Sequence, residues 1–203
     1  MLLSRRSART WTALALLGAA LLTYASGASA QIKEPGQHLD YAVELEPHLL
    51  MQFDRTWGAR GVGYGPGFRA TLPILRNGPI PKLNNSLGIG VGLDWTIFND
   101  CDGKAESADC TVNQIWVPVV AQWNFFFTPI VSAFAELGAA VTHRKLDYSK
   151  NCPFITDSEC KASNLAWFQP VMFVGGRFSF SKTAGLLVRL GTPYLSIGAD
   201  FTL

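Results

Sequence analysis

Hydrophobic residues recur at every second position along much of the chain after residue 40. In the segment 40–53 the odd positions are mainly large and apolar, and the even positions include Glu44, Glu46, His48 and Gln52. A β-strand places successive side chains on opposite faces, so this pattern predicts a strand with one apolar and one polar face. Comparable patterns predict about eight strands, at 40–53, 61–75, 86–98, 112–126, 130–143, 165–180, 185–191 and 194–203.

The composition of the two faces predicts which of them is inside. The apolar face is almost continuous, with His143 as its main polar exception, whereas the other face holds Gly, Ala and occasional charged residues. A soluble sandwich or binding barrel would bury its large aliphatic residues and present Lys and Glu to water. Small and charged residues instead suit a narrow lumen, and an apolar face suits lipid. The prediction is an all-β fold, an up-and-down antiparallel eight-stranded transmembrane β-barrel, with a soluble periplasmic binding barrel as the alternative.

The first thirty residues have the features of an export signal. In order, these are a basic start at Arg5, Arg6 and Arg9, an apolar stretch at 11–22 and a small-residue cleavage site at 28–30. We predict a signal peptide at 1–30 that is removed after Ala30, a short N-terminal periplasmic segment at 31–39, and the barrel at 40–203. From Gln31 onward the chain has 14 basic and 15 acidic residues, so a nucleic-acid partner is not expected.

Four cysteines lie in two local pairs, each flanking a short polar stretch. Because an exported chain folds outside the reducing cytosol, the spacing predicts the disulfides Cys101–Cys110 and Cys152–Cys160. Four cysteines allow three pairings, and locality is the reason for preferring this one; a metal site is the alternative. If Asp40 begins in the periplasm, both cysteine-bearing connections lie outside the cell, where long polar loops are expected.

Aromatic residues cluster near the predicted strand ends, as in the girdles of membrane barrels. The periplasmic set is Tyr41, Trp123, Phe125, Phe178, Phe180 and Phe201, and the outer set is Phe53, Trp95 and Tyr194.

Five prolines fall inside predicted strands, where each removes a ladder hydrogen bond: Pro47, Pro66, Pro73, Pro118 and Pro170. Either bulges accommodate them or the strand boundaries differ from those predicted. The Gly175-Gly176 pair predicts a further bulge.

The last residues of the chain resemble the C-terminal β-signal of bacterial outer-membrane barrels. Ser196, Gly198, Phe201 and Leu203 occupy the motif positions, with Leu203 in place of the more usual terminal Phe. Together with the export signal and the alternating strands, this extends the resemblance over the whole mature chain to the small OmpA-type transmembrane barrels. The resemblance implies a bacterial outer-membrane location, contact with outer-membrane lipids and insertion by the barrel assembly machinery. The chain stops at the signal, so the peptidoglycan-binding domain of full OmpA-type proteins is not expected.

Charged residues on the predicted inner face are the candidate functional site. Two sets of glycines have a spacing of two, so each set lies on one strand face and is expected to make room for large side chains: Gly61, Gly63, Gly65 and Gly67, and Gly88, Gly90 and Gly92. Because buried charge requires a partner, we expect a structural ion-pair plug, in which Asp200, Glu44 and Glu46 meet Arg69 and Arg189. A narrow ion or small-solute channel is the alternative, and it would use the same residues. The predicted lumen charge network is Glu44, Glu46, Arg69, Asp94, Glu136, Arg177, Arg189 and Asp200.

Catalysis is the least favoured function. Outer-membrane barrels that deacylate lipid A carry a His-x-Ser-Asn signature, but His143 is followed here by Arg144 and Lys145. Glu46 and His48 share a strand face and could pair as base and orienter, but no nucleophile is evident beside them. We therefore predict no enzyme activity, no catalytic residue, no cofactor and no metal. The expected role is envelope integrity or surface interaction, with an unidentified surface ligand.

Overall fold

The computed structural model describes residues 31–53, 59–101, 110–148 and 161–203, and the side chains of 31–53, 61–99, 111–145 and 168–203. Within these ranges the regular structure is entirely β, and no helix is long and apolar enough to cross a membrane. The strands are β1 (Glu44–Gln52), β2 (Ala59–Arg60), β3 (Gly63–Leu75), β4 (Asn85–Phe98), β5 (Asp100–Cys101), β6 (Cys110–Phe126), β7 (Val131–Tyr148), β8 (Lys161–Ser179), β9 (Ala184–Thr192) and β10 (Tyr194–Thr202).

Eight of these strands close into one antiparallel barrel, in the order β1-β10-β9-β8-β7-β6-β4-β3, with β3 pairing back to β1. The remaining two, β2 and β5, form a small ladder of their own. The predicted eight-stranded up-and-down fold is therefore confirmed. The main boundary error is that β7 and β8 extend to Tyr148 and start at Lys161, beyond the predicted 130–143 and 165–180. Backbone pairing continues there without a regular apolar alternation to reveal it.

Side chains alternate between the barrel exterior and its lumen, as the period of two predicts. In β1, for example, Leu49 is 66% exposed whereas the neighbouring Leu50 is 3% exposed. The exterior carries a continuous apolar band that includes Leu72, Ile89, Val91, Leu93, Val119, Leu137, Met172, Val174, Leu186, Val188, Leu190 and Ile197. A water-soluble barrel would hide such residues, so the outer surface is suited to lipid.

Proline leaves the register of two ladders unchanged and accompanies a register shift in a third. The paired residues of β1 and β10 pass from Leu45↔Phe201 to His48↔Gly198, so pairing is missing beside Pro47 but the register is unchanged. The β4–β6 ladder likewise keeps its register across Pro118. A register shift does accompany Pro73. Proline lacks the donor N–H, and one missing bond is tolerated where the strand's other neighbour remains paired.

The predicted bulge at Gly175-Gly176 is wrong. Gly175 and Gly176 pair in regular register with Phe134 and Ala133 of β7, and the shift in this ladder lies between Ala140 and Thr142 instead. Gly175 is small for a different reason, because a Cβ there would overlap the Phe134 ring. The glycine provides space for an aromatic side chain in the lumen.

One end of the barrel, which we call the short-turn end, is closed by compact turns and by the segment 31–43. The Thr128 and Ser181 hydroxyls each accept a bond from the backbone N–H three residues later, at 2.9 Å, which stabilises the β6–β7 and β8–β9 turns. Gln31 N donates to Phe127 O at 2.7 Å, and the His38 ring stacks on Phe126 with centroids 4.4 Å apart.

The opposite end is uneven in height. Strands β6, β7 and β8 have 17, 18 and 19 residues, whereas β9, β10 and β1 have 9 each. We call the extension formed by 110–118, 140–148 and 161–170 the raised wall. The first β8 residue that pairs with β9 is Met172, so within the described chain 161–171 have a strand neighbour only on the β7 side.

Candidate functional site

Arg189 lies at the centre of a buried ion-pair network in the lumen. Its Nη2 donates to the two oxygens of Glu46 at 2.9 and 2.8 Å and to Glu136 Oε1 at 3.0 Å, while its Nε donates to Glu136 Oε2 at 3.0 Å. Arg189 and Glu46 are fully buried and Glu136 is 2% exposed. These charges are therefore compensated by one another rather than by water, and their contacts join β9, β1 and β7 across the barrel.

Arg69 of β3 connects this cluster to a second carboxylate. It pairs with Glu136, its Nη2 donates to the Tyr194 hydroxyl at 3.0 Å, and the same Nη2 lies 3.6 Å from Asp94 Oδ2. The Tyr194 hydroxyl donates to Asp94 Oδ2, and His48 Nε2 lies 2.9 Å from Asp94 Oδ1. The residues joined in this way, which we call the central network, are Glu46, His48, Arg69, Asp94, Glu136, Arg189 and Tyr194.

Glycines in β3 and β4 provide the space that the central network occupies. A Cβ at Gly67 would overlap His48 Nε2 and Asp94 Oδ1, and a Cβ at Gly92 would lie 3.2 Å from Arg69 Nε. The expectation that the period-two glycines make room for large lumen side chains is confirmed at these positions. An eight-stranded barrel is only wide enough for its own side chains, so a large residue on one strand requires a small one opposite.

Two aromatic rings complete the lumen packing. The Phe134 ring centroid lies 5.3 Å from the Arg189 guanidinium carbon and 5.7 Å from that of Arg177. The Phe173 centroid lies 5.5 Å from the Arg69 carbon and 5.9 Å from the Arg189 carbon. These distances are within the range of cation–π attraction, so each guanidinium has both carboxylate and aromatic neighbours.

A second cluster lies nearer the short-turn end, and we call Glu44, Arg177 and Asp200 the lower triad. Arg177 pairs with Glu44, and its Nε lies 2.8 Å from Asp200 Oδ2. Tyr41, which precedes β1, donates its hydroxyl to Glu44 Oε2 at 3.2 Å. Burial, followed by the neighbouring Glu44 charge, raises the pKa of Tyr41 well above its usual value, so its hydroxyl keeps its proton and remains a donor.

Neutral polar residues fill the lumen nearer the raised wall. Gln52 Oε1 accepts bonds from Thr96 Oγ1 at 2.9 Å and from Trp116 Nε1 at 3.3 Å. Gln52 Nε2 in turn donates to Gln114 Oε1 at 3.2 Å. All four residues are buried. Together with the central network and the lower triad, they place polar side chains across the lumen at three successive levels.

The structure places all eight predicted lumen charges inside the barrel but pairs some of them differently. Asp200 and Glu44 meet Arg177, and the expected contacts with Arg69 and Arg189 are not formed by these two carboxylates in the described structure. The side chains of Glu46 and His48, which could have paired, do not meet. The Glu46 carboxylate binds Arg189, and the His48 ring contacts Glu46 through the backbone carbonyl oxygen, at 3.1 Å from Nδ1, and Asp94 through Nε2.

Tyr194 was expected in the outer aromatic girdle, and this expectation is wrong. Tyr194 is 1% exposed, points into the lumen and bridges Arg69 to Asp94. The signal that identifies it is the phase of its own strand. Leu195 and Ile197 face outward, so residues 194 and 196 must face inward. The presence of a tyrosine near a strand end is a weaker indicator than this alternation.

The predicted assembly signal forms most of β10. Ser196 is buried, Phe201 is 41% exposed on the exterior, and Leu203 N donates to Val43 O at 2.9 Å. Gly198 is small where it faces β1, because a Cβ would lie 2.6 Å from His48 Cβ.

The side chains of Cys101 and Cys110, and the whole of Cys152 and Cys160, lie outside the described residues. The two disulfides therefore stay predictions, as does the signal peptide at 1–30.

The lumen clusters have the chemistry of ion pairs. In the described part of the chain no three His, Cys, Asp or Glu side chains are arranged to hold a metal ion. His48 contacts the Asp94 carboxylate at 2.9 Å and the Glu46 carbonyl oxygen at 3.1 Å. Eight antiparallel strands with an apolar exterior and a charged interior define a transmembrane β-barrel protein.

No protein-family model matches the chain, and no curated protein matches it. Several solved structures are similar. Ail, the attachment invasion locus protein of Yersinia pestis, has a TM-score of 0.49 and 11% identity, covering 81% of this chain and 100% of that one. Neisserial surface protein A has a TM-score of 0.48 and 13% identity, covering 79% and 96%. The N-terminal β-barrel domain of Pseudomonas aeruginosa OprF has a TM-score of 0.40 and 11% identity, covering 79% and 96%. The expected OmpA-type barrel fold is confirmed by this chain's own closed eight-stranded topology.

Proposed function

We propose that this protein is a non-enzymatic barrel of the bacterial outer membrane whose lumen is plugged by its own side chains. The observation that carries the proposal is the central network. Arg69, Arg189 and Glu46 are fully buried at the middle of the barrel, and their bonds connect β1, β3, β7 and β9 across the lumen. An ion passing this level would have to displace charge-assisted hydrogen bonds that have no water to replace them.

The apolar exterior supports the outer-membrane location. Val91, Leu93, Leu137 and Met172 each expose roughly half or more of their surface, which lipid tolerates and water does not. In this setting the short-turn end faces the periplasm and the raised wall faces outward. The lipids of the outer membrane and its barrel assembly machinery are the partners that follow from this placement.

We further propose that the raised wall gives the protein a role at the cell surface. The ten residues by which β8 exceeds β9 in length correspond to about 30 Å of additional strand at about 3.3 Å per residue. Nothing in the barrel requires this length, because 9 residues suffice for β9, β10 and β1. A strand extension of this length, joined in sequence to the two connections for which disulfides are predicted, offers a surface on which an external ligand can bind.

Single-channel recording of the refolded mature chain in a planar bilayer tests the plug. We expect no discrete conductance steps while insertion is confirmed independently by protease protection. The Arg189→Met variant removes the guanidinium group whose bonds cross the lumen. Its matched control is Arg76→Met, at the exposed pair with Asp40. Regular steps in the unmodified protein, altered by Arg189→Met but not by Arg76→Met, would favour the alternative of a narrow channel.

Shortening the raised wall separates the surface role from a role in envelope integrity. We would replace 144–164 by a short turn, so that β7 and β8 are joined directly after the pair of His143 and Leu165. Cells producing this variant would be compared with cells producing the unmodified protein. A surface role predicts that adhesion or ligand capture is lost while resistance to detergent is retained. Loss of detergent resistance with unchanged surface binding would instead assign the protein to envelope integrity.

A further inference from the structure

The segment 31–43 begins at a fixed position on the short-turn end. Gln31 is the first residue of the compact unit 31–203, and its backbone N donates to Phe127 O at 2.7 Å. The next residue accepts a bond, from Asn84 N to Ile32 O at 2.8 Å. Chain ends are usually mobile unless they are tied down. These two bonds tie residues 31 and 32 to the β6–β7 turn and to the residue before β4.

The predicted cleavage after Ala30 makes Gln31 the amino-terminal residue of the mature chain. A glutamine in that position can react with itself, because attack of its α-amino nitrogen on the side-chain amide carbon Cδ closes a five-membered ring. The N–Cδ bond forms and the Cδ–Nε2 bond breaks. The amine gives one of its two protons to Nε2, which leaves as ammonia. The product, pyroglutamate, is a neutral lactam with one N–H, and its formation needs no oxidant, reductant or second substrate.

The surroundings of residue 31 favour this lactam over a free ammonium group. The described structure provides one acceptor for the Gln31 nitrogen, Phe127 O, and a lactam has one N–H to donate, whereas an ammonium group has three. Gln31 also lines a cavity together with Arg177 and Lys182. The one carboxylate of that lining, Asp200, is 2% exposed and already pairs with Arg177. An ammonium group would therefore add a third positive charge to a cavity whose carboxylate is already used.

We propose that the mature chain begins with pyroglutamate at position 31 and that the lactam N–H donates to Phe127 O. The proposal rests on the proposed export of the chain, and it does not depend on whether the lumen conducts. The side-chain oxygen Oε1 of Gln31 is buried, so this end of the side chain lies against the protein rather than in water. A neutral ring keeps the start of the segment 31–43 docked and leaves no free amine for an aminopeptidase. A free amino terminus paired with the exposed Glu34 is the competing arrangement.

The first test is the mass of the protein purified from the outer membranes of cells that export it. Free amines are dimethylated before the membranes are dissolved, so that cyclisation during handling does not mimic the native modification. We expect an amino-terminal peptide that starts at position 31, has no dimethyl label on its α-nitrogen and is about 17 Da lighter than its sequence, the mass of ammonia. A dimethylated Gln31 overturns the proposal. A chain that starts at another residue overturns it through its premise.

Gln31→Glu is the matched control, because a carboxylate loses oxygen far less readily than an amide loses ammonia. We expect this variant to be cut at the same place and to carry the dimethyl label on its α-nitrogen. If the variant is unlabelled as well, another process blocks this position and the proposal is contradicted. Neither result depends on conductance or on surface binding, so failure here leaves the proposed function untouched.

A second measurement tests the fit of the lactam without depending on export. The mature chain is prepared with a free Gln31, one half is cyclised with a glutaminyl cyclase, and both halves are refolded in micelles. Because Asn84 N donates to Ile32 O, hydrogen exchange of the Asn84 amide reports whether the start of the segment is docked. We expect exchange about two- to fivefold slower in the cyclised form, which avoids an ammonium group in the cavity of Arg177 and Lys182. Equal or faster exchange in the cyclised form contradicts the preference for the lactam.

Discussion

Removing one arginine from the central network should cost more stability than neutralising one of its carboxylates. Apart from His48, the network contains three carboxylates, Glu46, Asp94 and Glu136, and two guanidinium groups, Arg69 and Arg189. Among these five groups the carboxylates therefore outnumber the guanidinium groups by one. Replacing an arginine increases this excess, and replacing Glu136 removes it.

The sizes of the two effects follow from the contacts. Arg189→Met removes every guanidinium bond to Glu46 and leaves that fully buried carboxylate without its ion-pair partner, which costs about 3–5 kcal/mol. Glu136→Gln keeps the shape and one acceptor, and the pairs of Arg189 with Glu46 and of Arg69 with Asp94 remain. We expect about 1–3 kcal/mol for this substitution.

The assay is equilibrium urea unfolding of the protein refolded in lipid vesicles, followed by tryptophan fluorescence, with both variants compared at the same lipid ratio. Arg76→Met is the control, because the Arg76–Asp40 pair has side chains 67% and 63% exposed and should contribute about 0–1 kcal/mol. If Glu136→Gln destabilises the barrel more than Arg189→Met, the charge-excess reasoning is refuted. The same conclusion holds if Arg189→Met costs no more than Arg76→Met.

Three further substitutions test other features of the barrel. Val91→Arg places a charge on the lipid-facing band and should cost about 2–4 kcal/mol in vesicle unfolding, whereas Val91→Leu should be tolerated; an equal effect of the two would contradict a lipid-facing position. Gly67→Val fills the space used by His48 and Asp94 and should abolish refolding, measured by gel mobility of unheated samples. Tyr194→Phe removes the hydroxyl between Arg69 and Asp94 and should cost about 1–3 kcal/mol; no change in the unfolding midpoint would show that this bridge is not formed.

The sequence alone determined the fold class, the order and approximate positions of the eight barrel strands, and the side of the barrel that most of their residues face. These properties depend on local alternation, because a residue's partition between lipid and lumen is set by its own polarity and by the parity of its position. Tyr194 illustrates this dependence on alternation. The outward positions of Leu195 and Ile197 place Tyr194 correctly in the lumen, and only the preference of tyrosine for membrane interfaces suggested the exterior.

The tertiary structure decided which charged groups meet and how high each part of the wall rises. Glu44 and Glu46 lie two residues apart on one face of β1, yet the first pairs with Arg177 of β8 and the second with Arg189 of β9. That choice depends on the stagger of the strands around the closed barrel and on the space left by glycines of β3 and β4. The raised wall likewise arises where β7 and β8 keep pairing beyond the apolar band. Both outcomes depend on contacts between residues far apart in the chain, for which a single sequence carries no local signal.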